Sequence, residues 1–331
     1  MKKLMGFAVL GAFMAAAGGI SAQAVTVGVV FDRGGKNDRS FNQSAYEGVQ
    51  RAEKELGIQL KYVEATDDNA FVPMLRKFAT GNYDLIVGIG VGQADAVKTV
   101  AAQFPQKHFA IVDAEVNLPN VRSLLFQEHE GSFLMGAIAA LKASKSGGKV
   151  GFIGGMDIPL IRRFQMGYEH GVKAVNPKME VLTNYVGVTS GAWNDPPRAK
   201  ELARAQYKNG AAVIFSAAGA SGMGLFDAAE EAKKLAIGVD SNQNYIKPGF
   251  ILTSMLKRVD VAVFDACQDV KDGKFTGGIK RFGLGNSGID MAMDQYNKSL
   301  ITAEELKKLQ GFRAAILSGK LQVPDYYHQK K

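Results

Sequence analysis

Three acidic residues stand at the ends of short apolar runs in this 331-residue chain. Asp32 follows "VTVGVVF", Asp113 ends "HFAIVD" and Asp240 ends "AIGVD". In open parallel sheets, ligands bind beyond the carboxyl ends of the strands. Carboxylates accept hydrogen bonds from hydroxyl and amino groups, whereas several of them together would repel an anion. The three positions therefore predict a binding site for a neutral, hydroxyl-bearing solute.

Three aromatic residues near the same strand ends could stack on a flat ring. Phe41 lies in the turn "DRGGKNDRSFNQ", Trp193 in "SGAWNDPP" and Phe215 in "VIFSAAG". Stacking of a base on an aromatic ring is worth about 1–3 kcal/mol. From the pattern alone, Phe41 is either core or cleft wall, Trp193 is either lid or packing, and Phe215 fits a core position.

The turn after the first apolar run holds more polar groups than a scaffold needs. Gly34 and Gly35 permit a tight turn. Asn37 and Asn42 are further candidate ligand contacts. Ser40 fits the N-cap of the following helix better than a ligand contact.

Signatures of catalysis and of bound cofactors are weak. No histidine has metal-ligand spacing to another His or Cys, the four being His108, His129, His170 and His328. The segment "GLGNSG" (283–288) matches a dinucleotide-binding pattern formally, but no strand–helix unit follows it, so a glycine turn is the simpler interpretation. We predict no metal, no cofactor and no enzymatic activity.

Apolar runs alternate with amphipathic stretches along the chain. The predicted strands are 25–31, 84–90, 108–113, 149–155, 180–187, 211–219 and 236–240, and the predicted helices are 41–56, 69–80, 92–103, 130–143, 162–175, 195–209 and 222–234. This alternation predicts parallel sheets covered on both faces by helices. The length favours two three-layer α/β domains, with a break near 122–131, a crossover at 250–260 and a C-terminal helix at 302–320.

Residues 1–24 resemble a secretory signal peptide. "MKK" is cationic, "LMGFAVLGAFMAAAGGI" is apolar, and "SAQA" ends in small residues before a cleavage site at Val25. The alternative is a retained membrane anchor. The sole cysteine, Cys267, is far from this segment, so we expect a periplasmic protein without a lipid anchor. The net charge of +8 is scattered over helix faces, which argues against a nucleic-acid partner.

The stretch "FDRGGKNDRSFNQSAYEGVQRAEKELG" resembles the signature of the basic membrane protein family, the PnrA-like purine-nucleoside receptors of ABC importers. The resemblance continues through "GKVGFIGGMDIPLIRRFQMGYEHGVKAVNP", "AWNDPPRAKELARAQYKNGAAVIFSAAGASGMGLFDAA" and "AIGVDSNQ". It implies a type I periplasmic-binding-protein fold, with two Rossmann-like α/β domains joined by hinge crossovers. We place the N-terminal lobe at 25–125 plus about 256–280, and the C-terminal lobe at 126–255 plus about 281–331.

The resemblance also implies roles for single residues. Those implied to contact the base are Phe41, Phe215, Asp113, Asp32 and Asn42, and those implied to contact the ribose are Gly219, Asp240 and Lys257. Trp193 would replace Phe215 as the second stacking ring if Phe215 is core. Ala220 stands where many relatives carry a second glycine, and its methyl group would narrow the approach to the sugar.

The function implied by the resemblance is binding of a purine nucleoside of the adenosine, guanosine or inosine type. The ligand would close two lobes about a hinge, and a monomeric receptor would pass it to an ABC permease in the inner membrane. One alternative keeps the fold and changes the ligand to a free purine base or another small polar solute. Another is a nucleoside hydrolase that uses Asp32 or Asp113 on the ribose.

Overall fold

The computed structural model describes residues 24–328 and contains two six-stranded sheets. The first sheet contains β1 (Thr26–Phe31), β2 (Gln59–Glu64), β3 (Leu85–Ile89), β4 (His108–Val112), β5 (Val121–Phe126) and β11 (Gly278–Phe282). The second contains β6 (Lys149–Met156), β7 (Val181–Gly187), β8 (Ala211–Ala217), β9 (Leu235–Asp240), β10 (Ile251–Lys257) and β12 (Ile289–Met291). Their central strands are fully buried because helices cover both faces.

Helices form the outer layers of both sheets. The first sheet is covered on one face by α1 (Phe41–Leu56) and α8 (Val259–Lys271), and on the other by α2 (Phe71–Thr80) and α3 (Ala94–Gln103). The second is covered on one face by α4 (Glu128–Ser146) and α5 (Pro159–Val175), with α9 (Ala303–Leu317) against α4, and on the other by α6 (Pro196–Lys208) and α7 (Gly222–Ala232). The predicted pair of three-layer α/β domains is confirmed.

The two sheets have the same strand order. The first reads β11-β5-β4-β3-β1-β2 and the second β12-β10-β9-β8-β6-β7. Among the described residues the pairing is parallel except between β10 and β12. The chain passes between the sheets after β5, after β10 and after β11, so three crossovers join the two halves. The "GLGNSG" segment lies in the third crossover as a short turn.

Five strands were not predicted as strands, namely β2, β5, β10, β11 and β12. β2 is an edge strand with exposed polar residues, so its sequence "QLKYVE" lacks an apolar run. β5 lies within the segment predicted as the domain break, yet it pairs with β4 before the chain crosses over. β10 extends through Lys257 in the second sheet, whereas the predicted N-terminal lobe resumes near 256. The lobe limits given from the sequence stay a prediction.

Glycines allow α4 and α5 to pack closely. A Cβ atom on Gly136 would lie 1.9 Å from the carbonyl oxygen of Tyr168, and one on Gly171 would lie 1.9 Å from that of Phe133. Neither carbonyl is at the end of a flexible side chain, so the helix backbones would have to separate. This packing fixes α5, whose first turns face the gap between the two sheets.

We expect Gly136→Ala to lower the free energy of unfolding by about 1–3 kcal/mol, because the new methyl group overpacks the helix contact. Urea denaturation followed by circular dichroism measures the change. The control is Gly311→Ala in α9, where a Cβ meets no atom within 4 Å. That substitution should stabilise the protein by about 0.5–1 kcal/mol, because alanine favours a helix interior. Equal stability of the two variants would contradict the close packing of α4 on α5.

Candidate functional site

A cavity lies where the carboxyl ends of the two sheets face each other. It contains about 600 Å³ of empty space, including the part that opens to solvent. The predicted site residues that line it are Asp32, Phe41, Asn42 and Asp113 from the first half, and Trp193, Gly219, Asp240 and Lys257 from the second. The strand ends of both sheets therefore meet at one place, and Trp193 supplies an aromatic wall there.

Two predicted site residues, Asn37 and Phe215, lie outside this wall. Asn37 is exposed in the turn before α1. Phe215 is fully buried two residues before the end of β8, and its ring packs 5.8 Å from that of Phe152 and 5.5 Å from that of Tyr168. The strand reaches the cavity only at Ala217. Phe215 therefore lies below the sheet edge as a core residue in this structure, and Trp193, the alternative stacking ring, lines the cavity.

An aromatic residue that the sequence analysis missed stands in the wall instead. Phe164 lies in α5, which begins just beyond the end of β6, and Leu160 and Ile161 line the cavity beside it. The apolar spacing in "PLIRRF" puts these side chains on one face of the first helical turns. The Phe164 ring lies 6.5 Å from that of Phe215, so Phe215 packs beneath it.

The polar turn before α1 is organised by Asp38. This buried carboxylate accepts hydrogen bonds from the backbone N–H groups of Ser40 (2.8 Å), Asn42 (2.9 Å) and Gln43 (2.9 Å). The Asn42 amide donates to Asp38 at 3.1 Å, while its oxygen accepts from the backbone N–H of Asp32 at 3.1 Å. Asn42 thus positions Asp32 at the cavity wall. Burial raises the pKa of Asp38.

Ser40 does not cap α1 with its side chain, contrary to expectation. Asp38 takes that role, and the Ser40 hydroxyl donates instead to Asp240 across the cleft at 2.5 Å. The Ser241 hydroxyl donates to the Ser40 carbonyl at 2.9 Å, and the Gln243 amide donates to the Arg39 carbonyl at 2.8 Å. This turn therefore binds the second half directly.

A second set of contacts closes the rim of the cleft. Arg33 donates to the Ser190 hydroxyl at 2.9 Å, and that hydroxyl donates to Asp68 at 3.1 Å. Ser190 begins the short helical turn that carries Trp193. A Cβ on Gly155 would lie 2.1 Å from the indole, so the absence of a side chain there lets the Trp193 ring pack against β6. The segment Ser190–Asn194 therefore supplies both the hydroxyl of the rim contacts and the aromatic wall.

Lys257 is the cation of the cavity wall. Its ammonium donates to Asp113 of the other half at 2.6 Å and lies 3.1 Å from Glu128. Burial opposes the charge, but the carboxylates of Asp113, Glu128 and Asp240 raise the pKa of Lys257 above its usual value. The ammonium also lies 5.2 Å from the centroid of the Phe41 ring, within cation–π range.

Asp113 and Asp240 have unusual backbone conformations. Their φ angles are +69° and +65°, a left-handed region that favours glycine. Asp113 directly follows β4 and Asp240 ends β9, and these two strands hold equivalent places in the two strand orders. Burial raises the pKa of Asp113 to about 6, although Lys257 opposes the shift, and it raises the pKa of Asp240 to about 7 against Lys257 and Ser40. Backbone strain at both strand ends indicates a functional role for these two carboxylates.

Asp113 and Asp32 each have a carboxylate oxygen for which no hydrogen bond is seen within residues 24–328. Asp113 Oδ1 is buried and accepts no hydrogen bond from residues 24–328. Asp32 Oδ2 lies where a Cβ of Gly90, at φ +111°, would approach to 2.6 Å, so only glycine fits opposite this carboxylate. Burial raises the pKa of Asp32 to about 6. Both acceptors suit ligand N–H or O–H groups.

Within residues 24–328, no group of three or more His, Cys, Asp or Glu side chains has an arrangement that could hold a metal ion. No helix in that range is both long and apolar enough to cross a bilayer.

The sequence matches the family described as ABC transporter substrate-binding protein PnrA-like over residues 25–326. The chain belongs to this family. It is 35% identical to the ABC transporter nucleoside-binding protein BmpA of Lactococcus lactis, over 89% of this chain and 88% of that protein. It is 36% identical to an uncharacterized lipoprotein of Pyrococcus horikoshii, over 81% of this chain and 68% of that protein.

A solved ABC transporter solute-binding protein from Aeropyrum pernix has the same fold. It superposes with a TM-score of 0.85 at 30% identity, over 91% of this chain and 94% of that one. The type I periplasmic-binding-protein fold expected from the resemblance is confirmed, and so is membership of the PnrA-like family.

The pKa of Asp240 makes the stability of this PnrA-like protein depend on pH. The folded value of about 7 exceeds the ordinary value of 3.8, so between pH 4 and 7 the folded protein keeps a proton that the unfolded chain releases. The free energy of unfolding should therefore fall as pH rises through this window.

We expect Asp240→Asn to reduce this fall in the ligand-free protein by about 1–3 kcal/mol, because asparagine cannot ionise. Urea denaturation at pH 4, 5.5 and 7 measures it. The control is Asp95→Asn, an exposed position on α3 outside the carboxylate cluster. An unchanged pH dependence in Asp240→Asn would show that the buried carboxyl ionises as freely in the folded protein as in the unfolded chain.

Proposed function

We propose that this PnrA-like substrate-binding protein binds a purine nucleoside in the cavity and delivers it to an ABC importer. The observation that carries the proposal is one cavity that combines aromatic walls with strained, buried carboxylates. Phe41, Phe164 and Trp193 offer flat surfaces, while Asp113 and Asp240 offer hydrogen-bond acceptors. The name of the Lactococcus lactis relative supports a nucleoside as the ligand class.

Each chemical part of a nucleoside has candidate partners. The base would stack on Phe41, with Trp193 or Phe164 as the opposite wall, and donate N–H groups to Asp32. The ribose hydroxyls would donate to Asp240, while Lys257 would donate to a ribose oxygen. Asp113 Oδ1 lies on the same carboxylate that holds Lys257, so it serves a ligand donor close to that ammonium. Asn42 would position Asp32 rather than contact the base.

The charges of the wall argue against phosphorylated ligands. The cavity is lined by four acidic residues, Asp32, Asp38, Asp113 and Asp240. Among the described residues that line it, one is basic, Lys257. Lys257 is already paired with Asp113 and Glu128, so it has little free charge for a phosphate. A neutral nucleoside avoids this repulsion.

We also propose binding by hinge closure, without catalysis, and export by the segment 1–24. Two contacts between the halves belong to a closed form, and opening of the cleft would break them: Ser40 with Asp240, and Arg33 with Ser190. The predicted signal peptide lies outside the described residues, apart from Ala24. Some relatives are named lipoproteins. In this chain the cysteine, Cys267, is buried in α8. We therefore propose a periplasmic monomer without a lipid anchor.

Calorimetry at pH 8 tests the ligand class, because Asp32, Asp113 and Asp240 are then largely ionised. We expect adenosine, guanosine or inosine to bind, and the matching free base and 5′-monophosphate to bind at least about tenfold more weakly. Incubation with the nucleoside should release no free base. Equal binding of base and nucleoside would replace the proposal with a base receptor, and turnover would make the protein a hydrolase.

We expect Phe41→Leu to weaken nucleoside binding by about 1–3 kcal/mol, because leucine fills space but offers no aromatic face. Titration calorimetry measures the affinity. Phe264→Leu is the matched control, since this ring lies on α8 under the Arg51 guanidinium and away from the cavity. Unchanged affinity in Phe41→Leu would remove Phe41 from the site and leave Phe164 and Trp193 as the stacking candidates.

A further inference from the structure

The ion pair in the cavity wall continues behind the wall into a buried chain of charges. Glu128, which lies 3.1 Å from the Lys257 ammonium with one oxygen, accepts a hydrogen bond from Arg163 at 2.7 Å with the other. Arg163 in turn donates from two nitrogens to the two oxygens of Asp325, each at 2.7 Å. Five side chains of alternating charge thus run from Asp113 at the cavity to Asp325.

Asp325 belongs to the C-terminal segment that follows α9. Leu321 and Val323 of this segment pack against the main core, and the Tyr327 ring lies 5.0 Å from the Arg163 guanidinium. The same guanidinium contacts the carbonyl oxygen of Phe126, the last residue before the first crossover. The segment therefore covers the buried side of the hinge rather than the cavity itself.

The alternation of charge makes Glu128 a shared partner. Glu128 faces Lys257 on one side and Arg163 on the other, and Arg163 divides its donors between Glu128 and Asp325. Without the charge of Asp325, Arg163 would keep Glu128 as its one carboxylate partner among the described residues. Glu128 would then be drawn toward Arg163, and the direction of the Lys257 ammonium would change.

We propose that Asp325 is a positioning residue of the binding site, acting through Arg163 and Glu128 on Lys257. It touches no part of the cavity, and its effect on the ligand is indirect. The proposal depends on the proposed function in one respect, because it requires the cavity to be the ligand site. The C-terminal segment is thereby part of the machinery that sets affinity.

The test is Asp325→Asn in the full chain, with affinity for adenosine, guanosine and inosine measured by calorimetry. We expect a loss of about 3- to 30-fold, as for substitutions along coupled networks. The matched control is Asp157→Asn. Asp157 accepts two hydrogen bonds, at 2.5 and 2.6 Å, from Arg162, which precedes Arg163 in α5. This exposed ion pair does not reach Glu128. The control should bind like the unaltered protein.

A double-mutant cycle separates positioning from simple loss of stability. Asp325→Asn is combined with Glu128→Gln, which breaks the path to Lys257. If Asp325 acts through Glu128, the double variant binds no worse than Glu128→Gln alone; additive losses would overturn the proposal. Should Asp325→Asn fail to fold, Asp325→Glu replaces it in the cycle, because it keeps the charge but displaces Arg163.

A readout without ligand keeps this proposal independent of the ligand class. In protein labelled with ¹⁵N-lysine, the Lys257 ammonium signal is assigned by its loss in Lys257→Arg. We expect the signal to shift in Asp325→Asn and not in Asp157→Asn. If no nucleoside binds but the signal shifts, the proposed function fails and the positioning path stands. An unshifted signal overturns the positioning path even if nucleosides bind.

Discussion

The buried pair of Lys257 and Asp113 joins the two halves of the protein beside the hinge, and the cavity is arranged around it. Lys257 ends β10 at the second crossover, while Asp113 directly follows β4 in the other sheet. Removing one partner of such a pair typically costs about 3–5 kcal/mol, because the other charge stays buried. If the lobes close as proposed, these two strand ends have to come together, and the polar groups of the wall lie around them.

The fold could be predicted from the sequence where burial makes the pattern strong. Central strands such as β1 and β8 are apolar because helices cover both faces, and alternation with helices implied parallel sheets. β2 was missed because an edge strand needs few apolar residues. β5 was taken for a domain break because the crossover follows it directly, and sheet pairing across the crossover leaves no local sequence signal.

Only the part of the candidate site that lies at strand ends could be predicted from the sequence. Asp32, Asp113 and Asp240 were found because acidic residues follow buried strands. Phe215 was expected at the cavity but lies in the core, because a two-residue difference in depth along a strand separates core from cavity. Phe164 was missed because a helix that begins at the sheet edge can line a cavity with its ordinary apolar face. Partners distant in sequence, such as Ser40 with Asp240, have no signal in one sequence.

The two strand-end aspartates hold equivalent places but have different partners, and this difference bears on binding. Asp113 faces an ammonium, whereas Asp240 receives a hydrogen bond from the Ser40 hydroxyl of the other half. A ligand hydroxyl that donates to Asp240 uses the same acceptor as this closing contact. In the proposed mechanism, closure and ligand binding therefore meet at one carboxylate. A ligand hydroxyl group would either share Asp240 with Ser40 or displace Ser40 from it, and either outcome would link recognition of the ligand to the closed state.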